Sequence, residues 1–371
     1  MKETRFKDTE LGRIPEDWTV STIENIAMIT TGSQNTQDNE ENGDYPFYVR
    51  SQQVERINKW IFDTEGVVTA GDGVGTGKVF HYRIIMITDQ LTNTIYFSHM
   101  LEQVCPDLYR SISTLKAKGY PIEFFQGAKD MWARDYMPIQ VAPDKFVAFK
   151  YLPDYLLNPK YRNFLTENAA DIAREIVGDK AEVIDTDIIV DGGNVIKCDN
   201  AVIMVDKVIQ ANPHYSASKL LAELTRLFGC EVFLIPWDNE EGIYGHSDGV
   251  VRYLSDGDLL FTKYPDPKYM KQCQSMLKTH FNKMHNFWMP SGGAKCRERF
   301  QWAYINYIRT KDYIFMPALS KNADCIEDTT VRRQFELRFP EYPKENIIPI
   351  YALEALKQEG GLHCCSWNIL K

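Results

Sequence analysis

No C-x-x-C pair and no finger-like spacing occur among the eight cysteines of this 371-residue chain, at positions 105, 198, 230, 273, 296, 325, 364 and 365. That excludes the common zinc modules and offers no disulfide framework. No apolar run approaches the ~20 residues that a membrane span requires. The opening MKETRFKDTELGRIPEDW is charged and has no apolar h-region. Positive charge is in deficit as well, with a net charge of −9. An acidic chain repels phosphate backbones and attracts small cations. The stretch GDGVGTGKV is not a phosphate loop. From Gly71 to Gly77 is one residue too long, Val79 follows Lys78, and no helical pattern comes after. These absences predict a reduced cytoplasmic protein with no metal, no cofactor and no membrane association, its oligomeric state open. What is present is apolar bulk: 44% hydrophobic residues, 12% aromatic, enough for a large core and more than one domain.

Two regions differ in texture. Residues 1–83 carry the polar patch TTGSQNTQDNEENGDYP between an amphipathic DWTVSTIENIAMI and a strand-like GVVTA. From residue 84 onward, apolar strands, turns and amphipathic helices alternate, and RIIMITD opens this part as an expected buried strand. A unit of polar motif, strand, hairpin turn, strand and helix recurs in WARDYMPIQVAPDKFVAFKY, VDGGNVIKCDNAVIMVDKVI, YGHSDGVVRYLSDGDLLFTKY and WAYINYIRTKDYIFMPAL. SASKLLAELTRLFG is the clearest helix, with a serine cap at its start and a stop glycine. The motif positions Asp135, Asp191, His246, Asn306 and Cys364 follow one another at intervals of 56, 55, 60 and 58 residues. A fixed period of this size predicts a closed, propeller-like architecture in which distant residues meet at one axis. The last module lacks one strand, and RIIMITD is the expected supplier.

Gathered at one mouth, the motifs bring together Asp135, Asp191, His246, Asp248, Asn306 and Cys364. Carboxylates do not help a thiolate, since they repel it and raise its pKa. They make sense where the substrate is itself a cation, and paired carboxylates match the forked donors of a guanidinium best. A thiolate above the plane of the clamped group attacks its central carbon, and His246 protonates the departing ammonia. Trp132 either stacks on the cation or belongs to the core. The amide of Asn306, read as lying in an apolar strand, either contacts substrate or simply binds backbone, the commoner use of a buried amide. The Asp191-Gly-Gly step is either catalytic or only a turn.

The segments KDMWARDYMPIQV, DGGNVI, GHSDGVVRYL, YINYI and GGLHCC resemble the agmatine deiminase and bacterial-type peptidylarginine deiminase family, within the guanidino-group-modifying pentein α/β-propellers. The resemblance implies a five-bladed α/β-propeller of ββαβ modules over residues 84–371. It also implies a nucleophile at Cys364, a general acid/base at His246, and a guanidinium clamp of Asp135 and Asp248. Asp191 falls where relatives often carry an acidic residue, and Cys365 where they usually carry an aliphatic one. Relatives acting on agmatine usually begin with a tryptophan-rich segment and continue the last motif with Thr-Gln; here Ser366 and Trp367 follow. Agmatine, free arginine and peptidylarginine therefore all remain candidate substrates. Residues 1–83, through LGRIPEDWTVSTIENIAMITTGSQN and VVTAGDGVGTGKVFHY, resemble about half of a target-recognition domain of type I restriction specificity subunits, an α+β segment whose family binds DNA. Nine basic and fourteen acidic side chains, net −5, argue against autonomous DNA binding by it. The rival reading is a DNA-associated accessory protein with a non-catalytic propeller.

Overall fold

The structure, a computed structural model, describes residues 86–238, 245–263, 266–288 and 299–371, together with short stretches between residues 6 and 82. The chain divides into two compact units, Met1–Arg83 and Ile84–Lys371. Among its described residues the first unit shows three antiparallel pairs: Phe6–Thr9 with Gly12–Pro15, Tyr45–Phe47 with Glu55–Ile57, and Gly66–Thr69 with Val79–Tyr82. The last pair lies on either side of the glycine-rich stretch in sequence. That stretch and the amphipathic segment DWTVSTIENIAMI lie largely or wholly outside the described residues.

The second unit holds five three-stranded sheets. In the first, Ile139–Ala142 runs antiparallel to Lys145–Lys150, and Glu182–Ile189 lies parallel on the far side. The second repeats this with Ile196–Lys197, Ala201–Val205 and Glu231–Ile235. The third uses Val251–Tyr253, Leu259–Phe261 and Met284–Asn286, and the fourth Ile308–Arg309, Ile314–Ala318 and Ile347–Tyr351. The hairpin turns fall where Asp, Gly and Lys interrupt the apolar runs, and a parallel partner can be reached only through a long crossover, here helical. The crossover helix Ala217–Phe228 shows the local logic. Ser216 accepts from the Lys219 amide at 3.4 Å, and Gly229 ends the helix at φ 67°. Leu220, Leu224, Leu227 and Phe228 form its buried face, packed against the second sheet. Helix Pro267–Leu277 starts on Asp266, whose carboxylate takes the amides of Lys268 and Tyr269.

The fifth sheet joins the two ends of the unit. Ser366–Ile369 pairs antiparallel with Thr94–Ser98, which runs parallel to Ile122–Phe125. The fold is the five-bladed pentein α/β-propeller. One expectation is corrected. The missing strand is TIYFS at 94–98, not RIIMITD. Of its described residues, Met86–Thr88 belong to no sheet, and Asp89 opens a 3-10 turn. Asp89 accepts from Arg252 at 2.6 Å and lies 3.6 Å from the Lys197 ammonium, so it is drawn inward to buried cations rather than continuing a strand.

Those cations belong to a pattern. The second or third residue of each blade's first strand is polar yet buried: Gln140, Lys197, Arg252, Arg309 and Asn368. Buried polar groups need partners, and most of these find them on an adjacent blade. Gln140 exchanges two bonds with the backbone of Leu370, Arg252 donates to the carbonyl of Tyr307 at 2.7 Å, and Arg309 donates to that of Leu254.

Candidate active site

Each blade delivers its motif just before its first strand. Asp135 lies in the helical turn Ala133–Tyr136, Asp191 immediately before the 3-10 turn Gly192–Asn194, and His246 and Asp248 around the turn Ser247–Gly249. Asn306 caps the turn Gln301–Ile305, so it is not in a strand as expected. Cys364 precedes the closing strand.

Contacts bring these residues together. The Cys364 sulfur lies 3.4 Å from Asn306 Oδ1 and 3.7 Å from Asp248 Oδ2. Asn306 donates through Nδ2 to Asp248 Oδ2 at 3.1 Å and accepts from the Cys364 amide at 3.1 Å. Its amide thus ties thiol to carboxylate, going beyond the backbone role that buried amides usually have. On the other side, His246 Nε2 stands 3.2 Å from Asp191 Oδ2, and Nδ1 stands 3.6 Å from Asp135 Oδ1. The Gly193 amide donates to Asp135 Oδ1 at 3.0 Å. The Arg134 amide donates to the Cys364 carbonyl at 3.0 Å and links the first motif to the last. Trp132 is half-buried against the fifth blade's apolar cluster, and its ring fills the space that a side chain at Gly360 would occupy. Cys365, fully buried, belongs to that same cluster.

Three carboxylates share this space. Among the described residues, Asp135 spends Oδ1, Asp191 spends Oδ2, and Asp248 spends Oδ2. Asp191 Oδ1 is buried with no hydrogen-bond partner. Burial, reinforced by Asp191 and Asp248, pushes the Asp135 carboxyl up to about 7. Burial opposes charge on His246, yet Asp135 and Asp191 outweigh it and raise the imidazole to about 9. Burial works against the Asp248 carboxylate too, but its hydrogen bond from His363 holds it below the usual range. The Cys364 thiol is raised well above its ordinary value, by burial first and then by Asp248 and Asp135. Without a cation in front of it, this sulfur is a protonated thiol.

Several residues here were not singled out in the sequence. Asp130, buried beside Asp135, accepts from the Trp132 amide at 2.9 Å, and burial lifts it to about 7. Asp89 and Arg252 lie behind the site with His363, which the family motif contains but to which no task was assigned. The signal for the cations was available: Lys197, Arg252 and Arg309 interrupt apolar strands at intervals of 55 and 57 residues, the period of the motifs. Among the described residues no group of His, Cys, Asp and Glu is arranged to hold a metal ion, and no helix is long and apolar enough to cross a membrane.

The propeller's motifs thus gather a cysteine, a histidine and three carboxylates at one site. Residues 85–369 match the family profile described as Porphyromonas-type peptidyl-arginine deiminase. The chain belongs to that family, whose members are hydrolases of carbon–nitrogen bonds. Among solved structures, the agmatine deiminase of C. Jejuni is 18% identical, with a TM-score of 0.59, covering 77% of this chain and 96% of that one. An agmatine deiminase of Enterococcus faecalis gives 14% identity and a TM-score of 0.60, covering 78% and 96%. These likenesses are of fold. Residues 15–103 match the type I restriction modification DNA specificity domain. A curated relative of that part, the EcoDI specificity subunit of Escherichia coli, is 34% identical over 62 residues, which are 17% of this chain and 14% of that subunit.

Proposed function

We propose that the protein hydrolyses a guanidinium group to a ureido group with release of ammonia. The three buried carboxylates grouped with one thiol, one of them with an unpartnered oxygen at Asp191 Oδ1, carry this reading, because a planar five-donor cation is a ligand that satisfies such a group. Binding such a cation removes the electrostatic reason for the raised thiol, and the proton leaves the sulfur for solvent. The thiolate then adds to the central carbon, forming a C–S bond and a neutral tetrahedral adduct. His246, charged at neutral pH, protonates one amino group, and ammonia departs with the C–N bond. The remaining thiouronium is attacked by water, from which the now neutral His246 takes a proton. Collapse expels the sulfur, which takes up the hydroxyl proton through solvent to restore the thiol, and leaves the neutral ureido product.

Agmatine is the first substrate to test. Asp135, Asp191 and Asp248 disfavour an added carboxylate near the site, and a second positive charge matches them better than the zwitterion of free arginine. A peptidyl arginine has neither feature and is the alternative. The test is colorimetric detection of ureido product from agmatine, free arginine and an arginyl peptide, with Cys364→Ala as the control. Product from one of them that disappears in the variant supports the reading; no product from any of them overturns it.

The match of residues 15–103 to a DNA specificity domain motivates a second, separate role in which the first unit contacts duplex DNA or a restriction complex. A salt-sensitive mobility shift of duplex DNA by the full chain is the expected sign, and its absence at low salt would remove this role.

A further inference from the structure

Asp248 is contacted by a second histidine, distinct from the His246 that faces Asp135 and Asp191. His363 Nδ1 lies 2.7 Å from Asp248 Oδ2, and Nε2 lies 3.3 Å from Asp89 Oδ2. Both His363 and Asp248 are almost completely buried. Asp89 is itself fixed, by Arg252 Nη2 at 2.6 Å and by the Lys197 ammonium at 3.6 Å. We propose that His363, anchored by Asp89, is a positioning residue that holds Oδ2 of Asp248 and thereby fixes Oδ1 in its aim at a bound guanidinium. This rests on the deiminase reading of the site.

The geometry supports that role over a chemical one. His363 contacts the far oxygen of the clamp, and its two ring nitrogens face Asp248 and Asp89. A carboxylate can rotate about its Cβ–Cγ bond and exchange its oxygens. Two donors on Oδ2, Nδ1 of His363 and Nδ2 of Asn306, oppose that exchange. The groups facing the imidazole are Asp248 and Asp89, which favour its charge, and Arg134 and Arg252, which with burial disfavour it. Holding both Asp248 and Asp89 takes a proton on each ring nitrogen, whereas a ring protonated on Nδ1 alone holds only Asp248. The parts of this anchor come from opposite ends of the propeller sequence, Asp89 and His363 being 274 positions apart. Loss of either releases the same carboxylate.

The two amide substitutions separate the contacts. Asparagine at 363 presents its nitrogen near the place of Nδ1, and glutamine near the place of Nε2. Calorimetric binding of agmatine, arginine and an arginyl peptide is measured in the full chain carrying Cys364→Ala, alone and combined with His363→Asn, His363→Gln or Asp89→Asn. The expected result is binding within about 3-fold of the parent for His363→Asn and weaker by about 10-fold or more for His363→Gln. Asp89→Asn is expected to weaken binding as well, and it serves as the reporter if the glutamine variant has a lowered thermal midpoint. Equal affinities for the two amide variants at matched thermal midpoints, or no loss in Asp89→Asn, would overturn the proposal. If the wild type yields no ureido product but the affinity order holds, the deimination reading fails and the positioning role stands. Product formation without the affinity order has the opposite meaning, and absence of binding to agmatine, arginine and an arginyl peptide alike overturns both.

Discussion

Asp135 and His246 stand 3.6 Å apart with opposite charges, and each helps to set the titration of the other. Asp135 must be ionised to hold a cation, so kcat/KM is expected to rise as pH passes about 7. His246 must carry its proton to expel ammonia, so the same quantity is expected to fall as pH passes about 9. A profile of initial rates from pH 5 to 10 checks both limbs, and activity undiminished at pH 5 would contradict the Asp135 assignment. The two sulfurs are separable in the same assay. Cys364→Ala is expected to abolish turnover, whereas Cys365→Ala, which trims a core side chain, should retain most of it. At this scale the sequence was informative about residue types, because a register of Asp, Asp, His, Asn and Cys has few chemical uses. It was silent about partners. Asp89 looked like the end of an apolar run, and only the folded chain shows that its carboxylate meets His363 and Arg252.

The turns that carry the motifs depend on close backbone approach. A Cβ placed on Gly193 would stand 2.7 Å from both Asp135 Oδ1 and His246 Nδ1. Gly193→Ala is therefore expected to lower kcat/KM by about 100-fold or more, with little change in the far-UV circular dichroism. A Cβ on Gly361 would collide with Asn306 Oδ1, so Gly361→Ala should displace the amide that ties thiol to carboxylate. The hairpins and the helix Ala217–Phe228 were legible, because turn residues, a serine cap and a stop glycine mark them locally. Asn306 was read into a strand because its apolar neighbours in YINYI resemble one. The chain turns there instead, to bring the amide to the axis. Local apolar pattern reports burial well, but it cannot distinguish a buried strand from a buried turn.

Over the whole propeller, closure depends on the last strand. Ser366–Ile369 joins Thr94–Ser98, so the thiol is delivered by the same segment that completes the ring. Trp367 is buried against Phe146 and Tyr96, and its indole donates to the Pro138 carbonyl at 2.7 Å. Trp367→Ala is expected to cost about 3–5 kcal/mol of stability, measured by denaturant unfolding, and to lose activity in parallel with the folded fraction. The fivefold period foretold closure, since equal intervals admit few other arrangements. The closing strand was misassigned because RIIMITD and TIYFS are both short and apolar, and only pairing across the whole chain chooses between them. The central claim concerns one sulfur facing a clamped cation, and acid-quenched turnover followed by peptide mass spectrometry tests it most directly. The account predicts a mass increment on the peptide bearing Cys364 equal to the substrate less one ammonia, absent in Cys364→Ala. Turnover with no such adduct, or an adduct confined to Cys365, would contradict it.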